Sequence, residues 1–140
     1  MEVKNIHINT HIKIFKMMKQ IQKEYKSSRY ISIIFNKDVK FVDPFFLILL
    51  LQYRKHTNKF LVLDTYSCTN IIEGFIINFL TQQIQFLEIK IENIKPMTEE
   101  TFDKREEVYK SNFDISRRDE PSTYLYAKKD ILKSNLQDNF

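Results

Sequence analysis

Asp43 and Pro44 are the most sharply positioned pair in this sequence of 140 residues. An aspartate followed at once by proline and a long apolar run (PFFLILLL, residues 44–51) marks a helix start. The carboxylate accepts orphan backbone N–H groups, and proline fills the first helical position, where its missing donor has no partner to lose. Capping accounts for Asp43 without a catalytic role. Phe45 and Phe46 open the same helix and form a candidate partner-binding patch, since aromatic residues are favoured in interface cores. At least one of the two is expected in the core instead. Ser67 and Thr69 lie in a second stretch of capping residues, Ser67-Cys68-Thr69-Asn70.

Other chemistry is sparse. His7 and His11 are four apart, but they fall where apolar alternation suggests a strand, and no third ligand is near, so no metal is expected. Cys68 has no Lys, Arg or His beside it to lower its pKa and reads as an inert thiol. A single cysteine forms no internal disulfide, which favours a reducing compartment, the cytoplasm by default. The only glycine, Gly74, cannot build a phosphate-cradling loop or a dinucleotide fingerprint. No Ser/His/Asp set is suggested by order or spacing. These absences point to a non-catalytic protein without a cofactor.

Charge offers the main competing reading. Residues 1–59 carry 12 Lys and Arg against 4 Asp and Glu, while residues 60–94 carry 1 against 4 and residues 95–140 carry 9 against 10. Lys16, Lys19, Lys23 and Lys26 share one side of an amphipathic segment, opposite Ile14, Met17, Met18, Ile21 and Tyr25. Four lysines on one face can contact nucleic-acid phosphates or anionic lipid. A solvated face is the preferred explanation of them, and Tyr25, on the apolar side, offers no base-stacking platform.

The elements that position these residues follow from periodicity. The spacing predicts a helix over Ile14 to Tyr25, capped near Asn9 or Thr10, and a buried strand at Tyr30 to Phe35. A buried helix follows from Pro44 to about His56, then a second buried strand, FLVLD, at 60–64. Next comes a helix presenting Ile72, Phe75, Ile76 and Phe79, with Gly74 where something packs closely, and a half-exposed strand at Leu87 to Ile91. The middle of the chain therefore reads β-α-β-α-β, an α/β fold with a mostly parallel sheet flanked by helices. Beyond Pro96 the sequence turns charge-dense. A helix is expected from Thr98 to about Lys110, a loop over 112–122, a short strand at TYLYA (123–127) and a short helix from Lys128 to Leu136. The division is a domain over 1–95 and a charged extension over 96–140. The longest apolar run, Pro44 to Leu51, is far short of the roughly 20 residues that span a bilayer, and no apolar signal core precedes it.

With that core placed, Val39 to Leu51 (VKFVDPFFLILLL) resembles the signature region of STAS-like domains, the anti-sigma-factor antagonist group of bacteria. FLVLD, the helix near Thr69 and QFLEIKI fall where that family has its next elements, so the resemblance covers about residues 28–92. Phosphorylated members carry Asp-Ser-Ser/Thr-Gly at this turn; here the four residues are Asp43, Pro44, Phe45 and Phe46. Phe45 stands at the phosphoacceptor position, so the resemblance implies no phosphorylation switch there. The Asp-Pro-Phe form looks like the modules found beside histidine-kinase-type ATPase domains, which implies a separate partner, an ATPase or a sigma-pathway regulator. The resemblance implies docking through Asp43, Phe45 and Phe46, the following helix, and Ser67 and Thr69. The alternative is a small nucleic-acid-associated protein using the four lysines.

Overall fold

In the computed structural model, residues 3–9, 13–82, 94–97, 104–115 and 123–128 are described. The elements are β1 (Val3–Ile8), α1 (Ile14–Glu24), β2 (Tyr30–Phe35), α2 (Pro44–Thr57), β3 (Phe60–Asp64), α3 (Asn70–Gln82), β4 (Ile94–Met97), α4 (Arg105–Ile115) and β5 (Thr123–Lys128). They build one five-stranded sheet in the order β1-β2-β3-β5-β4, every pair parallel. The α/β class and parallel sheet expected from the sequence are what the structure shows.

Crossover handedness explains the layering. The chain steps from β1 to β2 to β3, then past the β5 position to β4, always in one direction, and α1, α2 and α3 all pack on one face. The step from β4 back to β5 reverses direction, and a right-handed crossover then has to place α4 on the opposite face. Tyr109 of α4 indeed packs there with Val3, Phe60, Val62, Tyr124 and Tyr126. Both faces of the central strands are covered, so β2 and β3 are buried almost throughout, whereas edge strand β1 exposes Asn5 and His7.

The larger core lies under the three helices. Ile31, Ile33, Phe35, Leu61, Leu63, Leu125 and Ala127 meet Met18 and Ile21 of α1, Phe46, Leu47, Leu50 and Leu51 of α2, and Ile72, Ile76, Ile77 and Leu80 of α3. Helix α2 ends at Asn58, whose left-handed backbone (φ 55°) is one that asparagine tolerates. The buried Lys59 then turns its Nζ to the carbonyls of Tyr25 and Lys26, both at 3.1 Å, and of Ser28, neutralising the negative end of α1.

Several expectations need correction. Residue 13, not 9 or 10, precedes the first helical turn of α1, and Thr10 and His11 lie outside the described residues. On α3, Phe75 is exposed and Ile77 is buried, and a Cβ built on Gly74 meets nothing within 4 Å, so close packing does not require that glycine. The strand expected at Leu87 to Ile91 lies outside the described residues, as does all but Lys128 of the expected last helix. The helix expected from Thr98 is α4, Arg105–Ile115, which runs into the expected loop. A boundary at residue 95 falls inside β4, and β5 sits between β3 and β4, so Pro96, Met97 and β5 belong to the same sheet and α4 packs on it. Pro96 suggested a break, but β4 is an edge strand, where a residue without an N–H is tolerated.

Candidate functional site

Asp43 is engaged by the backbone. Its Oδ1 accepts the N–H of Phe45 at 2.9 Å, and its carbonyl accepts that of Phe46 at 3.0 Å. The two phenylalanines part company there. Phe46 is fully buried in the core and takes no part in any surface, which corrects its place in the candidate patch. Phe45 is 45% exposed, and its ring meets that of Phe15, 74% exposed, edge to face at 6.4 Å and 69°.

Phe15 is the residue that sequence reasoning missed. An aromatic side chain beside the lysine face of an amphipathic helix was the available signal. The exposed large apolar side chains among the described residues are Phe15, Phe41, Phe45, Ile71 and Phe75. All lie in or beside the first two turns of α1, α2 and α3, which begin at the carboxyl edge of the parallel strands. They are spread along that edge as an apolar rim, within which Phe15 and Phe45 are in ring contact, and contiguous exposed apolar surface marks interaction sites more often than single side chains do.

A groove of about 560 Å³ opens from the Phe15 end of this rim and runs between α1 and α2. Its walls include Phe15, Met18 and Gln22 on α1 and Leu49, Tyr53 and His56 on α2, residues three and four apart on each helix. Lys19 lines it as well. Lys16, Lys19 and Lys23 are exposed along α1, and Lys26 is exposed just past its end. The lysine face and the Phe45 patch, read from the sequence as rival sites, are thus neighbouring parts of one surface.

Ser67 and Thr69 each hold a contact within the fold. Thr69 Oγ1 accepts the N–H of Ile72 at 3.4 Å and caps α3. Ser67 Oγ accepts from Arg105 Nη2 at 2.8 Å, within a polar cluster at the end of β3. Asp64, fully buried, is gripped by the Arg105 guanidinium (Nε to Oδ2 2.8 Å, Nη2 to Oδ1 3.2 Å), accepts the Tyr66 N–H at 3.1 Å and takes a hydrogen bond from the Tyr109 hydroxyl. Burial pushes the Asp64 carboxyl above its usual range, and Arg105, then Tyr109, offset only part of that. Burial and the Asp64 charge raise Tyr109 further, so it remains a donor. The cluster clamps α4 to the sheet.

Glu73, in the first turn of α3, is the matching clamp for β5. Its Oε2 accepts from the Lys128 backbone N–H at 2.9 Å and from Thr65 Oγ1 at 3.1 Å. Burial raises its pKa, with Lys128 and Thr65 opposing. At low pH the carboxyl is protonated in both states. As pH climbs above about 4.3 the unfolded chain ionises first and holds fewer protons than the native one, so stability falls until native Glu73 has ionised too. Urea unfolding between pH 4 and 8 is expected to show the wild type losing stability relative to Glu73→Gln as pH rises. A difference that stays constant across that range would refute the assignment.

Cys68 is not poised as a nucleophile. Burial, with Glu73 adding to it, pushes the Cys68 thiol up to about 12, and Sγ donates to the Thr65 carbonyl at 3.1 Å. Among the described residues no three His, Cys, Asp or Glu side chains are grouped to hold a metal ion. A second depression, about 570 Å³, lies over Asn9, Asn36, Lys37, Asp38, Tyr66 and Ser67 at the carboxyl edge, and Asn36 donates to Asn9 across it. Among the described residues no helix is long and apolar enough to cross a membrane. No protein-family model, curated protein or solved structure matches the chain.

Proposed function

We propose that this protein is a non-catalytic regulatory module that docks on a separate protein through the groove between α1 and α2 and the apolar rim at its head. The observation that carries this reading is the pair of exposed rings, Phe15 and Phe45, held against each other where the groove opens. Exposed aromatic side chains in water are a standing cost that a partner removes, and clustered aromatic anchors dominate the energy of protein interfaces. The Asp43 turn that presents Phe45 is the segment that resembles STAS-like domains. An ATPase or sigma-pathway regulator in the cytoplasm is the partner that resemblance suggests, and the free, buried Cys68 fits a reducing compartment.

The test is affinity capture from nuclease-treated native lysate, comparing the wild type with a Phe15→Ser, Phe45→Ser double variant. Phe15 is largely exposed, so its replacement should change folding stability by no more than about 0.5 kcal/mol, while replacing half-buried Phe45 should cost about 1 kcal/mol, and a urea melt confirms that the variant is folded. Recovery of the specific protein partner should drop at least about tenfold, the equivalent of 1.4 kcal/mol. Equal recovery by the variant would sink the docking surface. Retention only when nucleic acid is left intact would move the function to Lys16, Lys19, Lys23 and Lys26, with the steep salt dependence of phosphate binding.

A further inference from the structure

We infer that the occupant of the α1–α2 groove is an acidic amphipathic helix of the partner protein. Its apolar side lies on Phe15, Met18, Leu49 and Tyr53, and its carboxylates face Lys16, Lys19 and Lys23. The inference rests on the docking reading above and names the partner's chemistry.

Shape comes first. The groove extends from Phe15 to Gln22 on one helix and from Leu49 to Thr57 on the other. Seven or eight residues of helix advance about 10–12 Å, so each wall is two turns long. That length matches the i, i+3, i+4, i+7 anchors by which an amphipathic helix fills an apolar groove.

Charge selects among helices. From Lys13 to Lys23 the α1 wall carries no Asp or Glu, and α2 carries none from Pro44 to Thr57. The first carboxylate on α1 is Glu24, whose Oε2 accepts from Gln20 at 3.3 Å. A partner helix therefore meets Lys19 in the α1 wall, with Lys16 and Lys23 exposed along the same helix, and no carboxylate along either wall. Carboxylates placed there gain attraction and speed encounter, whereas lysines there are repelled.

The same features weigh against other occupants. An anionic bilayer is flat, whereas a groove two turns long with Met18 buried on its floor suits a narrow, convex occupant. Stacking of successive bases needs rings presented side by side, while Phe15 and Phe45 meet edge to face at 69°. A second copy of this chain would bring the same lysine-lined wall against itself.

Two synthetic helix-forming peptides test this with the full-length protein. Both carry the same leucine stripe, and one has glutamate where its twin has lysine. Fluorescence anisotropy should show the glutamate peptide binding at least about tenfold more tightly, a difference of 1.4 kcal/mol. Combined Lys16→Glu, Lys19→Glu and Lys23→Glu should reverse the preference, and Phe15→Ser with Phe45→Ser should weaken both peptides. Equal binding of the twins, or no binding of the glutamate peptide, overturns the acidic-partner inference. If the twins bind equally and the phenylalanine variant still loses both, the docking surface stands without that specificity. If the phenylalanine variant binds the glutamate peptide as the wild type does, the docking reading itself fails. Tighter binding to phosphatidylglycerol vesicles or to an oligo-dT strand than to the glutamate peptide assigns the groove to lipid or nucleic acid and overturns the inference.

Discussion

Asp64→Ala is expected to cost the fold about 3–5 kcal/mol, the usual penalty for removing one member of a buried ion pair. The loss comes less from the net worth of the pair than from what is left behind. Arg105, 16% exposed, loses both contacts of its fork and keeps Ser67, while the fully buried Tyr109 hydroxyl loses its acceptor. Because burial already disfavours the ionised carboxyl, replacing the whole cluster by apolar side chains of similar volume would cost far less than removing Asp64 alone. A domain of this kind has roughly 5–15 kcal/mol of stability in total, so the alanine variant should unfold at a much lower urea concentration. Asp64→Asn keeps the volume and an acceptor for Tyr109, and it should retain more of the stability. A loss below about 1 kcal/mol for the alanine variant, typical of a surface pair, would mean that Asp64 does not hold α4 to the sheet.

Locally encoded features were legible in the sequence, and features encoded by distant partners were not. Asp43-Pro44 announced α2 because capping chemistry acts within three residues. The apolar runs of β2 and β3 announced strands covered on both faces. Asp64, in contrast, looked like the last letter of FLVLD, since its partners Arg105 and Tyr109 lie 41 and 45 residues further on. Those partners are one helical turn apart on α4, but Glu106, Glu107 and Lys110 around them gave the segment the look of a solvated tail. The choice between Phe45 and Phe46 was hidden for another reason. From Phe45 to Leu51 the helix is apolar on every side, so no amphipathic phase shows which ring turns inward. Phe15 and Phe45 meet only because α1 and α2 are neighbours on one face, which follows from the crossovers and not from either segment.

A chain ended at Lys95 is expected not to fold. The truncation removes β5, which supplies backbone partners to β3 from Leu61 to Asp64 and to β4 on its other side. It also removes four large side chains that are almost fully buried, Tyr109, Tyr124, Leu125 and Tyr126. At about 1.5–3 kcal/mol for each buried large apolar side chain, their loss alone approaches the whole stability of an ordinary domain. The polar groups that remain compound the damage. Asp64 loses Arg105 and Tyr109, Glu73 loses the Lys128 N–H, and the Thr65 N–H loses the Tyr126 carbonyl it meets at 2.8 Å. Circular dichroism and urea titration of the shortened chain should show no cooperative transition, and limited proteolysis of the full chain should yield no stable fragment ending near residue 95. A cooperative melt from residues 1–95 would show that β1, β2 and β3 with their three helices form a self-sufficient unit. The clamps from α4 and β5 would then be ornaments on that unit instead of conditions for its existence.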